Sequence, residues 1–175
     1  MKKIILFFVI LATISCKVQK QETKVIKDNS GNLIGVIEKK HFLQEPFKGW
    51  FNFNYEDYST NKNVIEQLKP LLKKIKIKAF MGTWCGDSKE QTPVFYKILD
   101  EAGFDYKNLE LIAVDKSKKT PDNLQEGLDI IRVPTFIFYK NDKEIGRFVE
   151  YPRESVEEDI LKIISSKPYK HSYEN

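Results

Sequence analysis

Between residues 25 and 37 apolar and polar positions alternate on either side of Asn29-Ser30-Gly31-Asn32, which predicts a β-hairpin. The next apolar stretch, 46–58, carries six aromatic residues, Phe47, Trp50, Phe51, Phe53, Tyr55 and Tyr58. These are expected to cover one side of a sheet, with a partner-binding surface as the alternative. Val64, Ile65, Leu68, Leu71 and Leu72 recur at helical spacing over 61–74, where Pro70 should kink or break the helix. Residues 75–81 alternate as a strand and lead into Gly-Thr-Trp-Cys-Gly-Asp-Ser, 82–88. The period then turns helical through Val94, Phe95, Ile98 and Leu99, with Gly103 as the C-terminal cap.

Residues 109–115 are almost continuously apolar, the pattern of a strand buried on both faces. Thr120-Pro121 is expected to open a short helix. Residues 132–150 hold two strands joined at Asn141-Asp142. Ser155-Val156-Glu157-Glu158 forms a capping box ahead of an amphipathic helix bearing Val156, Ile160, Leu161, Ile163 and Ile164. From residue 61 the order is αβαβαββα, which predicts an α/β sandwich: a central mixed sheet flanked by helices, with the hairpin as an N-terminal extension.

The first sixteen residues, MKKIILFFVILATISC, run from two lysines through an apolar stretch to a small residue and a cysteine. The apolar run is shorter than the ~20 residues that span a bilayer. Ordinary secretory cleavage and an uncleaved anchor both fit this order of charges. Ser15-Cys16 at its end resembles a bacterial lipoprotein signal, although Thr13 stands where such signals usually carry leucine. That resemblance implies cleavage before Cys16, lipid attachment at Cys16, and a location at the bacterial cell envelope facing the periplasm or exterior. The organisation read from the chain is a signal peptide at 1–15, a tether at 16–24, the hairpin and aromatic-rich extension at 25–60, a main domain at 61–165 and a loose polar tail at 166–175.

The 29 basic and 25 acidic residues give a formal charge of +4, and removal of Lys2 and Lys3 lowers it to 27 − 25 = +2. So slight an excess gives no case for nucleic acid as a partner. The two cysteines, Cys16 and Cys85, are too few for a disulfide scaffold. The two histidines, His41 and His171, are remote from both, so no metal ion or other cofactor is expected.

Cys85 would sit at a helix N-terminus, where unpaired N–H groups favour the thiolate; Asp87 opposes this and Lys89 partly offsets it. A single cysteine reads equally well as a small buried apolar residue. Gly82 and Gly86 on either side point instead to an exposed turn.

Trp84-Cys85-Gly86-Asp87-Ser88, Pro93 in the following helix, and Val133-Pro134-Thr135 before a strand together resemble the thioredoxin family over roughly 61–165. The resemblance implies that Cys85 is the reactive group and that Ser88 occupies the second catalytic position. It further implies that Trp84, Gly86, Asp87, Val133, Pro134 and Thr135 line the substrate groove, with Pro134 cis and facing the sulfur. Three departures stand out. Ser88 replaces the second cysteine, Ala79 stands where a buried acid is usual, and the groove glycine is replaced near Val149-Glu150.

Ser88 cannot close a disulfide, but its hydroxyl is expected to hydrogen-bond the Cys85 thiolate. The resulting expectation is a membrane-tethered monothiol protein acting on thiols and disulfides of extracytoplasmic proteins. The alternative is a non-catalytic thioredoxin-fold binding module. Cys-Gly-Asp-Ser also resembles the Cys-Gly-Phe-Ser of monothiol glutaredoxins, but Trp84 and the order Val-Pro-Thr argue against that relation.

Overall fold

The computed structural model describes residues 25–174. The signal segment 1–15, the lipid attachment at Cys16 and the tether 16–24 lie outside them.

The expected hairpin forms from β1 (Ile26–Lys27) and β2 (Leu33–Ile37), paired antiparallel. Asp28 holds the turn by accepting from the backbone N–H groups of Ser30 and Asn32 at 2.8 and 2.9 Å. A single turn, α1 (Lys39–Phe42), then leads to α2 (Lys48–Asp57).

The aromatic segment is therefore mostly helical, and it covers a helix more than a sheet. Positions 47, 50, 51, 55 and 58 share a helical spacing that brings one face inward. Phe51 stacks on Phe42 at 5.2 Å and meets Tyr96 edge-on at 5.9 Å. Phe53, off that face, is 67% exposed.

Next come α3 (Lys62–Leu72), β3 (Lys76–Met81) and α4 (Gly86–Glu101). Pro70 does not break α3, which continues for two more residues. Gly103, at φ +67°, ends α4 with its N–H on the Asp100 carbonyl, while Phe104 N–H reaches Leu99 O. β4 (Leu109–Ala113), β5 (Thr135–Lys140), β6 (Lys143–Val149) and α5 (Val156–Ile164) complete the fold. The β5–β6 turn uses positive φ at both Asn141 and Asp142, the geometry that matches strand twist. Ser155 Oγ caps α5 by accepting from Glu158 N–H at 3.2 Å.

The strand order is β1-β2-β4-β3-β5-β6. β3 and β4 are parallel and the remaining pairs antiparallel, so the sheet is mixed. Strand alternation sorts the core into two clusters. One joins Ile77, Ala79, Leu111, Phe136 and Phe138 to apolar side chains of all five helices. The other joins Phe80, Ile112 and Ile137 to Val114, Ile130 and Val133, and Trp84 and Cys85 pack against it.

Two expectations are corrected. No helix follows Thr120. Its Oγ1 accepts from Leu124 N–H, Gln125 Oε1 accepts from Thr120 N–H, and Asn123, Gly127 and Asp129 adopt positive φ, so the segment is a series of turns. The tail from 166 is docked, not loose. Tyr169 OH donates to Asp159, and Arg153 Nη2 donates to the carbonyls of His171 and Glu174 at 3.1 and 2.9 Å.

Candidate active site

β3 delivers the chain to a turn that Cys85 N–H closes on Gly82 O at 2.9 Å. A Cβ on Gly82 would lie 2.5 Å from Trp84 Cε2, so the indole can fold over the turn only because residue 82 has no side chain. Trp84 Nε1–H in turn donates to Val114 O at 2.8 Å. Thr83, buried, accepts from Leu33 N–H at 3.0 Å and ties the turn to β2.

Cys85 is the N-terminal cap of α4 in an extended conformation, and its side chain makes no cap hydrogen bond. The sulfur is thus available to other groups. Its thiol donates to Val133 O at 3.2 Å and approaches Asp87 Oδ2 at 3.8 Å. Cys85 is partly exposed and unpaired in any disulfide.

The Val133–Pro134 bond is cis. Thr135 opens β5 opposite Phe80 and Val149, and its Oγ1 donates to Arg132 O at 2.7 Å. Trp84, Cys85, Val133, Pro134 and Thr135 therefore converge at the end of the sheet where β3 finishes and β5 begins. Gly86 and Asp87 are exposed on the first turn of α4. Behind Trp84, Asp115 closes the next loop. Burial works against its charge, but bonds from Lys119 N–H and the Ser117 hydroxyl hold its carboxyl below the usual range.

Ser88 differs from expectation. It is fully buried, and its Oγ accepts from Gly82 N–H at 3.1 Å. The hydroxyl braces the turn from inside and does not reach the sulfur. Ala79 is also fully buried, between Leu111 and Phe136 in register, so the inner wall of β3 carries a methyl group at the position where a carboxyl is usual. Glu150 has positive φ (65°), and its N–H donates to Pro134 O at 2.7 Å.

Several contributors were not singled out from sequence. Thr83 had no signal beyond its place beside Trp84. Arg132 sits 3.9 Å from Glu150, and Tyr173 in the tail lies under the Arg132 guanidinium at 5.0 Å. Contacts between such distant positions leave no mark in local spacing.

A family model described as thioredoxin matches residues 44–162. The thioredoxin of Gallus gallus is 28% identical over 98 residues, covering 56% of this chain and 88% of that protein. Thioredoxin H9 of Arabidopsis thaliana is 30% identical over 95 residues, covering 54% of this chain and 64% of its own. Among solved structures, a protein of unknown function from Pseudomonas aeruginosa superimposes with a TM-score of 0.52 at 16% identity, over 74% of this chain and 81% of that one. With a matched region that contains both the Cys85 turn and the Val133-Pro134 loop, the chain belongs to the thioredoxin family.

Proposed function

We propose that the protein carries out thiol–disulfide exchange through the single thiol of Cys85, tethered to the bacterial envelope by lipid at Cys16 and acting on extracytoplasmic proteins. The observation that carries this reading is the partly exposed Cys85 sulfur at the start of α4, 3.2 Å from Val133 O on the cis-proline loop. The thiolate attacks one sulfur of a partner disulfide. A new S–S bond forms to Cys85, the partner's S–S bond breaks, and its second sulfur leaves with the electron pair as a thiolate. Resolution comes from an external thiol or from a further cysteine of the partner, whose thiolate attacks the partner sulfur and releases Cys85; the second route leaves the freed cysteine as a thiol, is isomerisation and consumes no reductant. Support for the envelope location comes from the order of charges in 1–16 and the terminal Ser15-Cys16.

The test is a non-reducing gel of the full chain purified from its native membrane, with Cys85→Ser alongside. Adducts that vanish on reduction and are missing from the variant support the reading. Their absence from the unaltered protein overturns it.

The second reading, a non-catalytic binding module, draws on the buried Ala79 and on Ser88 being engaged with Gly82 N–H. It predicts that partners remain bound to Cys85→Ser and are released without reductant.

A further inference from the structure

The tail meets the groove through a chain of short contacts. Val133 accepts from the sulfur, and the residue before it, Arg132, lays its guanidinium 5.0 Å from the Tyr173 ring centroid. On the other side, Glu150 donates its N–H to Pro134 O and places a carboxylate 3.9 Å from Arg132 Nη1. Tyr151, next in sequence, meets Tyr173 edge-on at 5.9 Å.

Tyr173 is not held by its ring alone. Ser172 Oγ donates to Tyr151 O at 2.6 Å, Arg153 clamps the carbonyls of His171 and Glu174, and Tyr173 N–H donates to His171 Nδ1 at 3.2 Å. Hydrogen bonds at four successive tail positions, three through the backbone and one through the Ser172 hydroxyl, make this segment a built feature of the fold. A cavity of about 300 Å³ lies between β6 and the tail, its wall shared by Ile131, Val149, Glu144 and Arg147 with the tail's own Tyr169 and His171.

The outer surface of this assembly is unusually apolar for its exposure. Ile131 is 64%, Tyr151 47% and Tyr173 39% exposed, all within two residues of Val133-Pro134 or Glu150, or in contact with those that are. Exposed large apolar side chains gathered beside a reactive group mark a contact surface.

We propose that Tyr173, positioned by Arg132 and Tyr151, determines the specificity of exchange at Cys85: the tail is a fixed wall of the groove that selects partner segments carrying an aromatic residue beside the cysteine. This rests on the proposed exchange activity. An aromatic ring next to the attacked cysteine packs on Tyr173 and Tyr151 while the partner sulfur meets Cys85. A small residue there leaves those rings in water. Arg132, half exposed and facing both Glu150 and Tyr173, holds the ring in place.

The experiment uses two short peptides, identical except for Phe or Ala before a cysteine capped as its mixed disulfide with thionitrobenzoate. Attack by Cys85 forms the Cys85–peptide disulfide, breaks the bond to thionitrobenzoate and releases that group as a coloured thiolate. The unaltered protein is expected to favour the Phe peptide about fivefold in rate. Tyr173→Ala should bring the ratio near one, and Tyr173→Phe should restore it. Equal rates for the two peptides with the unaltered protein, or a ratio that survives Tyr173→Ala, overturn the specificity assignment while leaving the exchange activity standing. No release from either peptide, or from the symmetric small disulfide used to make them, overturns the exchange activity and the wall together.

Discussion

The thiol of Cys85 lies between two acceptors, Val133 O at 3.2 Å and Asp87 Oδ2 at 3.8 Å. Both oxygens carry negative charge or partial charge, so the sulfur is flanked by groups that repel an approaching anion. A reagent anion that comes about as close to the Asp87 carboxylate as the sulfur does, roughly 4 Å, is repelled in water by about 1 kcal/mol. Asp87→Asn should therefore speed the reaction of Cys85 with an anionic aromatic disulfide about fivefold at low salt. The same variant should change the rate with a neutral disulfide less. Stopped-flow absorbance with the two reagents checks this, and equal acceleration of both sinks the direct-charge account.

Ser88 offers the position from which a second thiol could act. Ser88→Cys places sulfur three residues after Cys85 on the same helical turn. Under oxidation the variant should form an internal disulfide, read as the loss of both free thiols, and should no longer accumulate protein adducts. In the reduced state it should lose about 1 kcal/mol through the broken bond to Gly82 N–H, measured by urea unfolding.

Gly82→Ala sets a methyl group against the indole at 2.5 Å from Cε2. The ring must move, and its bond to Val114 O is lost. A stability loss of about 1–3 kcal/mol is expected, with a shift in tryptophan emission toward longer wavelength. Unchanged emission would show that Trp84 is held in some other way.

Phe51 and Phe53 stand two residues apart on α2 with opposite exposure. Phe51→Ala should destabilise the fold by about 3–5 kcal/mol. Phe53→Ala should change it by less than about 0.5 kcal/mol. Chemical denaturation of the two variants separates an aromatic segment that packs the fold from one reserved for partners.

Docking of the tail should depend on pH. Burial lowers the pKa of His171; Glu174 pulls the other way, and Arg147 and Arg153 push it further down. A docked His171 therefore binds a proton less readily than an undocked one. Docking is fully favoured above the ordinary histidine pKa and weakens as pH falls below it toward the depressed value. Protonation at Nδ1 also removes the acceptor used by Tyr173 N–H. Amide exchange at Tyr173, corrected for its intrinsic rate, should lose protection across that window, and His171→Asn, which keeps an acceptor but cannot titrate, should flatten the profile.

The strands and long helices were legible because their burial is periodic. Residues 75–81 and 109–115 each carry a strand and 132–150 carry two, and Ser155 Oγ caps its helix by accepting from Glu158 N–H, one arm of the expected capping box. Thr120-Pro121 fits a helix start, whereas the side chains of Thr120 and Gln125 satisfy the local N–H groups first and leave a series of turns. The tail carries no apolar period because its attachments are scattered and mostly polar: Tyr169 OH on Asp159, Arg153 on the carbonyls of His171 and Glu174, and Ser172 Oγ on Tyr151 O. At the site, Cys85, Trp84 and Pro134 were legible from short motifs. Ser88 was recognised as a substitution, but its engagement with Gly82 N–H depends on burial that no motif records.

The β1–β2 hairpin has a mechanical consequence. β1 is held by two residue pairs, whereas Leu33 at the start of β2 is fastened to Thr83 beside the reactive turn. Tension applied through the N-terminal chain meets the weaker joint first. Peeling β1 away frees residues 25–32, which at ~3.4 Å each add about 27 Å of reach. Under such tension the hairpin would lengthen before the Thr83 fastening beside Cys85 is loaded.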